Sequence, residues 1–137
     1  MSRATPRDAL RRRGCAALAL AALALAVGPA RAQGPASMPA QERQRIETLL
    51  RAIEADTVLR FDRNGTQANG KDAVRFLRAK WARNEAGVLT AEAFIDHIAS
   101  RSSTTGRPYR VCVKPTDCTE AGPWLKAFLR RLEGQTP

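Results

Sequence analysis

The 137-residue chain carries 23 Lys and Arg against 13 Asp and Glu, a formal net charge of +10. That length admits one small domain and no second core. Its single long apolar run, residues 15–27, is shorter than the about 20 residues needed to cross a bilayer, which excludes stable membrane insertion.

Arg3, Arg7 and Arg11 to Arg13 precede that run, and Ala30-Arg31-Ala32 follows it. A basic start, an apolar stretch and a small-x-small pattern make residues 1–32 a cleavable secretory signal peptide, so the mature product is expected to be exported. The segment takes six arginines and one aspartate with it, leaving 105 residues with 17 basic and 12 acidic side chains, a net +5. The basic residues spread from Arg43 to Arg131 and read first as a solvated cationic surface. A folded patch facing anionic lipid or glycan phosphate is the sharper alternative. Nucleic acid is set aside as a partner, since an exported protein seldom meets it.

Cys15 leaves with the signal and has no small-residue cleavage pattern before it, so a lipid anchor is not expected. Cys112 and Cys118 remain. In an oxidising compartment so close a pair suggests a disulfide. A redox pair usually has two intervening residues, and a metal site would need ligands beyond the chain's single histidine. No metal and no cofactor is assigned.

Residues 33–38, with Gly34, Pro35 and Ser37, read as a loose leader. In residues 39–56, Ile46, Leu49, Leu50 and Ile53 recur at helical spacing and predict an amphipathic helix. Leu59 and Phe61 then alternate with Arg60 and Asp62, the period of a half-buried strand over 57–63. Asn64-Gly65 is a strong hairpin signal because both residues tolerate positive φ, and a short return strand over 66–68 should end at Asn69-Gly70. Asn69 caps a helix whose buried face is Ala73, Val74, Leu77 and Trp81. After Gly87, Thr90 caps a short helix with Phe94, Ile95, Ile98 and Ala99 inward. Residues 100–108 form a polar loop, and Tyr109, Val111 and Val113 predict a strand that alternates with Arg110 and Cys112. A last helix is expected from about Thr119 to Glu133, with Trp124, Leu125, Phe128, Leu129 and Leu132 inward and Gly134 ending it. Trp124, directly after Pro123, is the tryptophan with most scope for exposure. Its helix also carries Lys126, Arg130 and Arg131, a pattern shared with interfacial membrane helices, although a buried helix with solvated arginines is commoner. The order α-β-β-α-α-β-α gives an α+β class, a short mostly antiparallel sheet packed by helices in a single domain over 39–137.

Two stretches are more particular than secondary structure requires. Phe61-Asp62-Arg63-Asn64-Gly65-Thr66 precedes Gly70 and a helix ending Lys80-Trp81, while Ile98-Ala99-Ser100-Arg101-Ser102-Ser103 leads to Gly106, Pro108 and Tyr109. Together they resemble the YfeK-like family of small exported bacterial proteins, a domain of unknown function, over roughly residues 40 to 133. The resemblance implies a periplasmic location in a Gram-negative bacterium. It brings no activity, substrate or catalytic residue. Family members often have a cysteine near the position of Val58 and a glycine where His97 stands. The first departure makes a pairing of Cys112 with Cys118 a local variation, and the second argues against a family-wide role for the histidine.

The loop Ser100-Arg101-Ser102-Ser103-Thr104-Thr105 holds five hydroxyls and an arginine, more than a turn requires. Hydroxyls, backbone N–H groups and a guanidinium make a surface suited to carboxylate or phosphate. The plainer alternative has Ser and Thr closing local turns and Arg101 answering the negative end of the preceding helix. Arg63 and Asn64 join this loop if their hairpin pairs with the strand starting at Tyr109, and Arg107 lies at the same end. Arg63, Asn64, Arg101, Ser102, Ser103, Arg107 and Tyr109 are therefore the candidate binding residues. Their expected partner is an anionic envelope component or a periplasmic protein.

A hydrolase using Ser102 or Ser103 is the alternative function. Its general base would have to be His97, which lies before the loop between Ile95 and Ile98, with Asp96 pointing about 100° away around the helix. No nucleophile-elbow glycines flank either serine. A structural envelope protein without a discrete ligand is the third possibility. The leading expectation is a binding module that catalyses nothing.

Overall fold

Ile46, Leu49, Leu50 and Ile53 lie on one face of helix α1, Ala40–Ala55, and each is at most 1% exposed. The computed structural model describes residues 36–135 and Gly28, within which the fold belongs to the unit Gln33–Pro137. The expected signal peptide, Gly28 aside, and residues 33–35 of the leader lie outside the described residues.

The Asp56 carboxylate accepts from the Val58 and Leu59 backbone N–H groups at 2.9 Å, an Asx turn that sends the chain into strand β1, Arg60–Arg63. Asn64 and Gly65 take φ of 54° and 88°, and β2, Thr66–Asn69, returns antiparallel. The Asn69 side chain accepts from the Asp72 N–H at 2.9 Å and caps helix α2, Gly70–Ala82, which buries Ala73, Val74, Leu77 and Trp81. A 3-10 turn at Glu85–Gly87 leads to Thr90, whose hydroxyl accepts from the Ala93 N–H at the start of α3, Ala91–Phe94. The helix then widens into a π turn over Ile95–Ala99, where the Ser100 hydroxyl donates to the Ile95 carbonyl at 2.6 Å. Phe94, Ile95, Ile98 and Ala99 are buried, as their spacing predicts.

Strand β3, Arg110–Lys114, pairs antiparallel with β1, bringing Phe61 opposite Val111. Strand β4, Asp117–Glu120, then pairs with β3, and helix α4, Ala121–Gly134, closes the core with Leu125 and Leu129. The sheet order is β2-β1-β3-β4 and every pairing is antiparallel, so the α+β class holds.

Strand β4 corrects the expected start of the last helix. Asp117, Thr119 and Glu120 are exposed, so this edge strand has no apolar alternation to announce it. A second correction concerns Val113, which is 39% exposed instead of sharing the buried face of Tyr109 and Val111. The register shifts between Cys112 and Lys114, leaving Val113 as the extra residue of a bulge. Cys112 and Cys118 face each other across the pair and are joined by the expected disulfide. Closing a ring of about seven residues contributes roughly 2 kcal/mol through the unfolded chain. On α4, Trp124 and Phe128 are half-buried and stack at 4.9 Å beneath the Arg131 guanidinium.

One arginine ties three helices. Arg45 on α1 donates to Glu42 at 3.0 Å, to both oxygens of Glu92 beside the α3 N-terminus at 2.6 and 3.0 Å, and to Glu133 on α4. Glu42 also accepts from the Ala91 N–H at 2.8 Å. The Arg45 hydrogen bond holds the Glu92 carboxyl below the ordinary 4.5, and the Arg78 hydrogen bond does the same for Glu47. Depressed carboxyl values give stability that is full above pH about 4.5 and drains as pH falls through the folded values. Arg45→Met is therefore expected to cost about 1–2 kcal/mol at neutral pH, modest because these groups are partly solvated, and to flatten the acid limb of stability. Urea midpoints measured from pH 7 to 3 check this. A variant with the wild-type acid slope would remove Arg45 as the cause.

Candidate anion-binding cleft

The polar loop after Ala99 folds on itself as a closed turn. Arg101 and Pro108 bridge, the Ser102 N–H donates to the Arg107 carbonyl at 2.9 Å, and the Tyr109 N–H donates to the Ser100 carbonyl at 2.8 Å. The Ser102 hydroxyl accepts from the Thr104 and Thr105 N–H groups at 3.3 and 3.2 Å. This is the local turn-closing role that serine chemistry favours, and it leaves Ser102 6% exposed. Thr105 then reaches across the sheet end, its hydroxyl donating to the Asn64 side-chain carbonyl at 3.1 Å. The β1–β2 turn and the loop are thereby clamped together.

Between them lies a cleft of about 560 Å³. Arg63, Asn64, Ser102, Ser103 and Tyr109 line it, so the structure brings these candidates together. Arg101 and Arg107 are placed differently. The Arg101 carbonyl accepts from Lys80, but the residue lines a separate cleft with Asp96, His97 and Lys126. Arg107 contributes backbone groups to the turn, and its side chain is not part of the lining.

Lys80 is the residue that sequence reasoning missed. It projects from the last turn of α2, is 5% exposed, and its ammonium donates to the Arg101 carbonyl at 2.6 Å and the Tyr109 hydroxyl at 3.3 Å. The same nitrogen lies 4.9 Å from the centroid of the Tyr109 ring. These partners are dipoles and a π face. None is an anion, and burial pushes the Lys80 ammonium below the usual lysine range. Burial likewise raises the Tyr109 phenol, opposed by the Arg63 charge and a hydrogen bond with Ser102. Tyr109 is 2% exposed and held between Phe61 and Phe76, with ring centroids at 5.4 and 5.8 Å. The Arg63 guanidinium lies 3.9 Å from the centroid of the Phe76 ring. Arg83, one residue beyond α2, adds a third cation, and among the described residues no Asp or Glu lines the cleft.

A signal for Lys80 was present in the sequence. Ala73, Leu77, Lys80 and Trp81 share the helical spacing of one buried stripe, and a lysine on such a stripe is buried or functional.

The neighbouring cleft of about 730 Å³ is larger but of mixed charge, with Glu120 and Asp96 beside Arg101, Lys126 and Arg130. Lys126 and Asp96 pair there at 2.7 Å. His97 is exposed and lines this cleft and a third one with residues 83–88, and it is not among the residues lining the cleft that holds Ser102 and Ser103. Among the described residues no group of His, Cys, Asp and Glu could hold a metal ion, and no helix is long and apolar enough to cross a membrane.

Comparison with known proteins places these features in a family. The chain is 43% identical over 74 residues to the uncharacterized protein YfeK of Salmonella typhimurium, a match covering 54% of this chain and 62% of that protein. No solved structure matches. Residues 40–133, from the start of α1 almost to the end of α4, match the model of a family of unknown function, DUF5329. The chain therefore belongs to the DUF5329 family.

Proposed function

We propose that this is a small periplasmic protein, exported by cleavage after Ala32, which binds an anionic envelope component or an anionic group of a periplasmic protein and catalyses no reaction. One observation carries the reading: Arg63, Lys80 and Arg83 line a cleft to which the described residues contribute no carboxylate. A structural surface of this net charge would intersperse acids with bases, as the larger neighbouring cleft does. The hydrolase alternative has less support, because the Ser102 hydroxyl is engaged in its own turn and His97 lines other clefts.

The test uses the chain from Gln33 onward in thermal melts with an acidic peptide, a phosphorylated sugar and anionic vesicles. At least one probe is expected to raise the melting temperature, since a ligand at a hundred times its Kd adds about 2.7 kcal/mol. The Arg63→Glu, Arg83→Glu double variant should lose that rise while still melting cooperatively in buffer, at a temperature lowered only by the lost Arg63–Phe76 contact. A rise that survives the double variant, or no rise with any probe, would remove the proposal. An intact mass of the periplasmic protein corresponding to a start at Gln33 is expected alongside.

A further inference from the structure

The geometry points to a phosphate monoester, carrying close to two negative charges, as the group this cleft holds. The inference rests on the anion-binding reading above and narrows it.

Charge is the first argument. Arg63 comes from the end of β1, while Lys80 and Arg83 come from the end of α2, and among the described residues no acidic side chain lines the cleft with them. A carboxylate or a phosphodiester brings one negative charge to three cations. A phosphate monoester brings about 1.5 to 2 at neutral pH, because its second pKa is near 6.

The second argument is the state of Lys80. An ammonium has three protons to donate, and two go to the Arg101 carbonyl and the Tyr109 hydroxyl. Lys80 still lines the cleft, although it is 95% buried by the residue's 5% exposure. A desolvated cation whose partners among the described residues are dipoles gains most from a nearby anion, and the gain grows with that anion's charge. An anion bound there also favours the protonated amine, opposing the effect of burial.

The third argument is shape. Donor-bearing residues reach the cleft from three segments: Lys80 from α2, with its ammonium 4.9 Å from the Tyr109 ring centroid, Arg63 from the end of β1, with its guanidinium 3.9 Å from the Phe76 ring centroid, and Ser103 and Thr104 from the loop. Three terminal oxygens on a tetrahedral phosphorus can accept from donors on three different segments. A planar carboxylate offers two oxygens in one plane, which suits a single bidentate arginine better.

Calorimetry on the chain from Gln33 tests this with glycerol 3-phosphate as the monoester, glycerophosphoglycerol as the singly charged diester, and acetate. A parallel arm uses phosphatidylcholine vesicles containing phosphatidic acid or phosphatidylglycerol. The monoester is expected to bind at least tenfold tighter than its diester counterpart. Tight binding in solution identifies a soluble ligand, and tight binding only to phosphatidic acid vesicles identifies a lipid headgroup; both support the inference. Lys80→Met should weaken monoester binding at least tenfold. Should that variant fail to fold, Arg83→Gln at its exposed position should weaken it at least threefold. Equal affinity for monoester and diester, or affinity unchanged in the folded variants, would overturn the inference. Acetate or an acidic peptide binding as well as the monoester, and lost in the double charge reversal, would overturn it while leaving the broader anion reading intact. Binding of no anion would remove both.

Discussion

Replacing Gly70 with alanine is expected to destabilise the protein by more than about 3 kcal/mol, at the upper end of overpacking costs. Gly70 opens α2 directly against the last turn of α1. A Cβ there would stand 2.0 Å from the Ile53 carbonyl oxygen, 3.0 Å from its carbon and 3.3 Å from the Asp56 carbonyl oxygen. All three are backbone atoms, so no side-chain rotation makes room. Relief requires α2 to move off α1, which opens the contact that buries Ile53, Ala73 and Leu77. Gly65 supplies the contrast. It has φ of +88° but open space around it, so Gly65→Ala should cost only the left-handed backbone penalty of about 1 kcal/mol. Urea denaturation of the two variants side by side separates steric from conformational cost. Equal midpoints would show that the α1–α2 approach is softer than its backbone contacts imply.

The helices were legible because burial imposes a period on them. Ile46, Leu49, Leu50 and Ile53 announced α1, and Asn69 and Thr90 marked the next two helix starts by the side-chain caps they form. The Asn64-Gly65 turn was legible for a different reason, since its backbone angles are open to few residue types. Strand β4 was not legible. It is held by the ladder to β3 and by the Cys118 sulfur, neither of which leaves a hydrophobic pattern in four residues. Val113 misled because a single inserted residue inverts the face of all that follow, and no local property of Val113 records the bulge.

The candidate site was half legible. Its hydroxyl loop and Arg63-Asn64 were visible as excess polarity, and pairing of β1 with β3 put them at one end of the sheet. Lys80 escaped because a lysine in a helix is normally read as solvated. Its burial depends on the Arg101 carbonyl and Tyr109 hydroxyl, which lie 21 and 29 residues further along the chain. Arg101 is expected in the site for its guanidinium, whereas in the structure its carbonyl accepts from Lys80 and the residue lines the neighbouring cleft.

Phe94→Ala is the second large effect, a loss of about 3–5 kcal/mol. The ring is fully buried and meets Trp81 edge to face at 5.2 Å, just before the chain widens into its π turn. Removing it deletes both the transfer energy of the ring and a cross-element contact between α2 and α3. Collapse around the gap is restricted. Trp81 is held on another side by the Arg43 guanidinium 5.0 Å from its ring centroid, and Ile95 and Ile98 are fixed by the wide turn that Ser100 closes. At roughly 4–8 °C per kcal/mol for a domain of this size, the melting temperature should fall by 12 °C or more. Phe94→Leu, which refills most of the volume, should lose less than half as much. Because Trp81 adjoins Lys80 on α2, a folded Phe94→Leu protein with unchanged glycerol 3-phosphate affinity would show that the cleft is held by its own hydrogen bonds to Arg101 and Tyr109. A Phe94→Ala loss under about 1 kcal/mol would mean that Trp81 swings into the space, and that the contact between these rings is not what fixes α2 against α3.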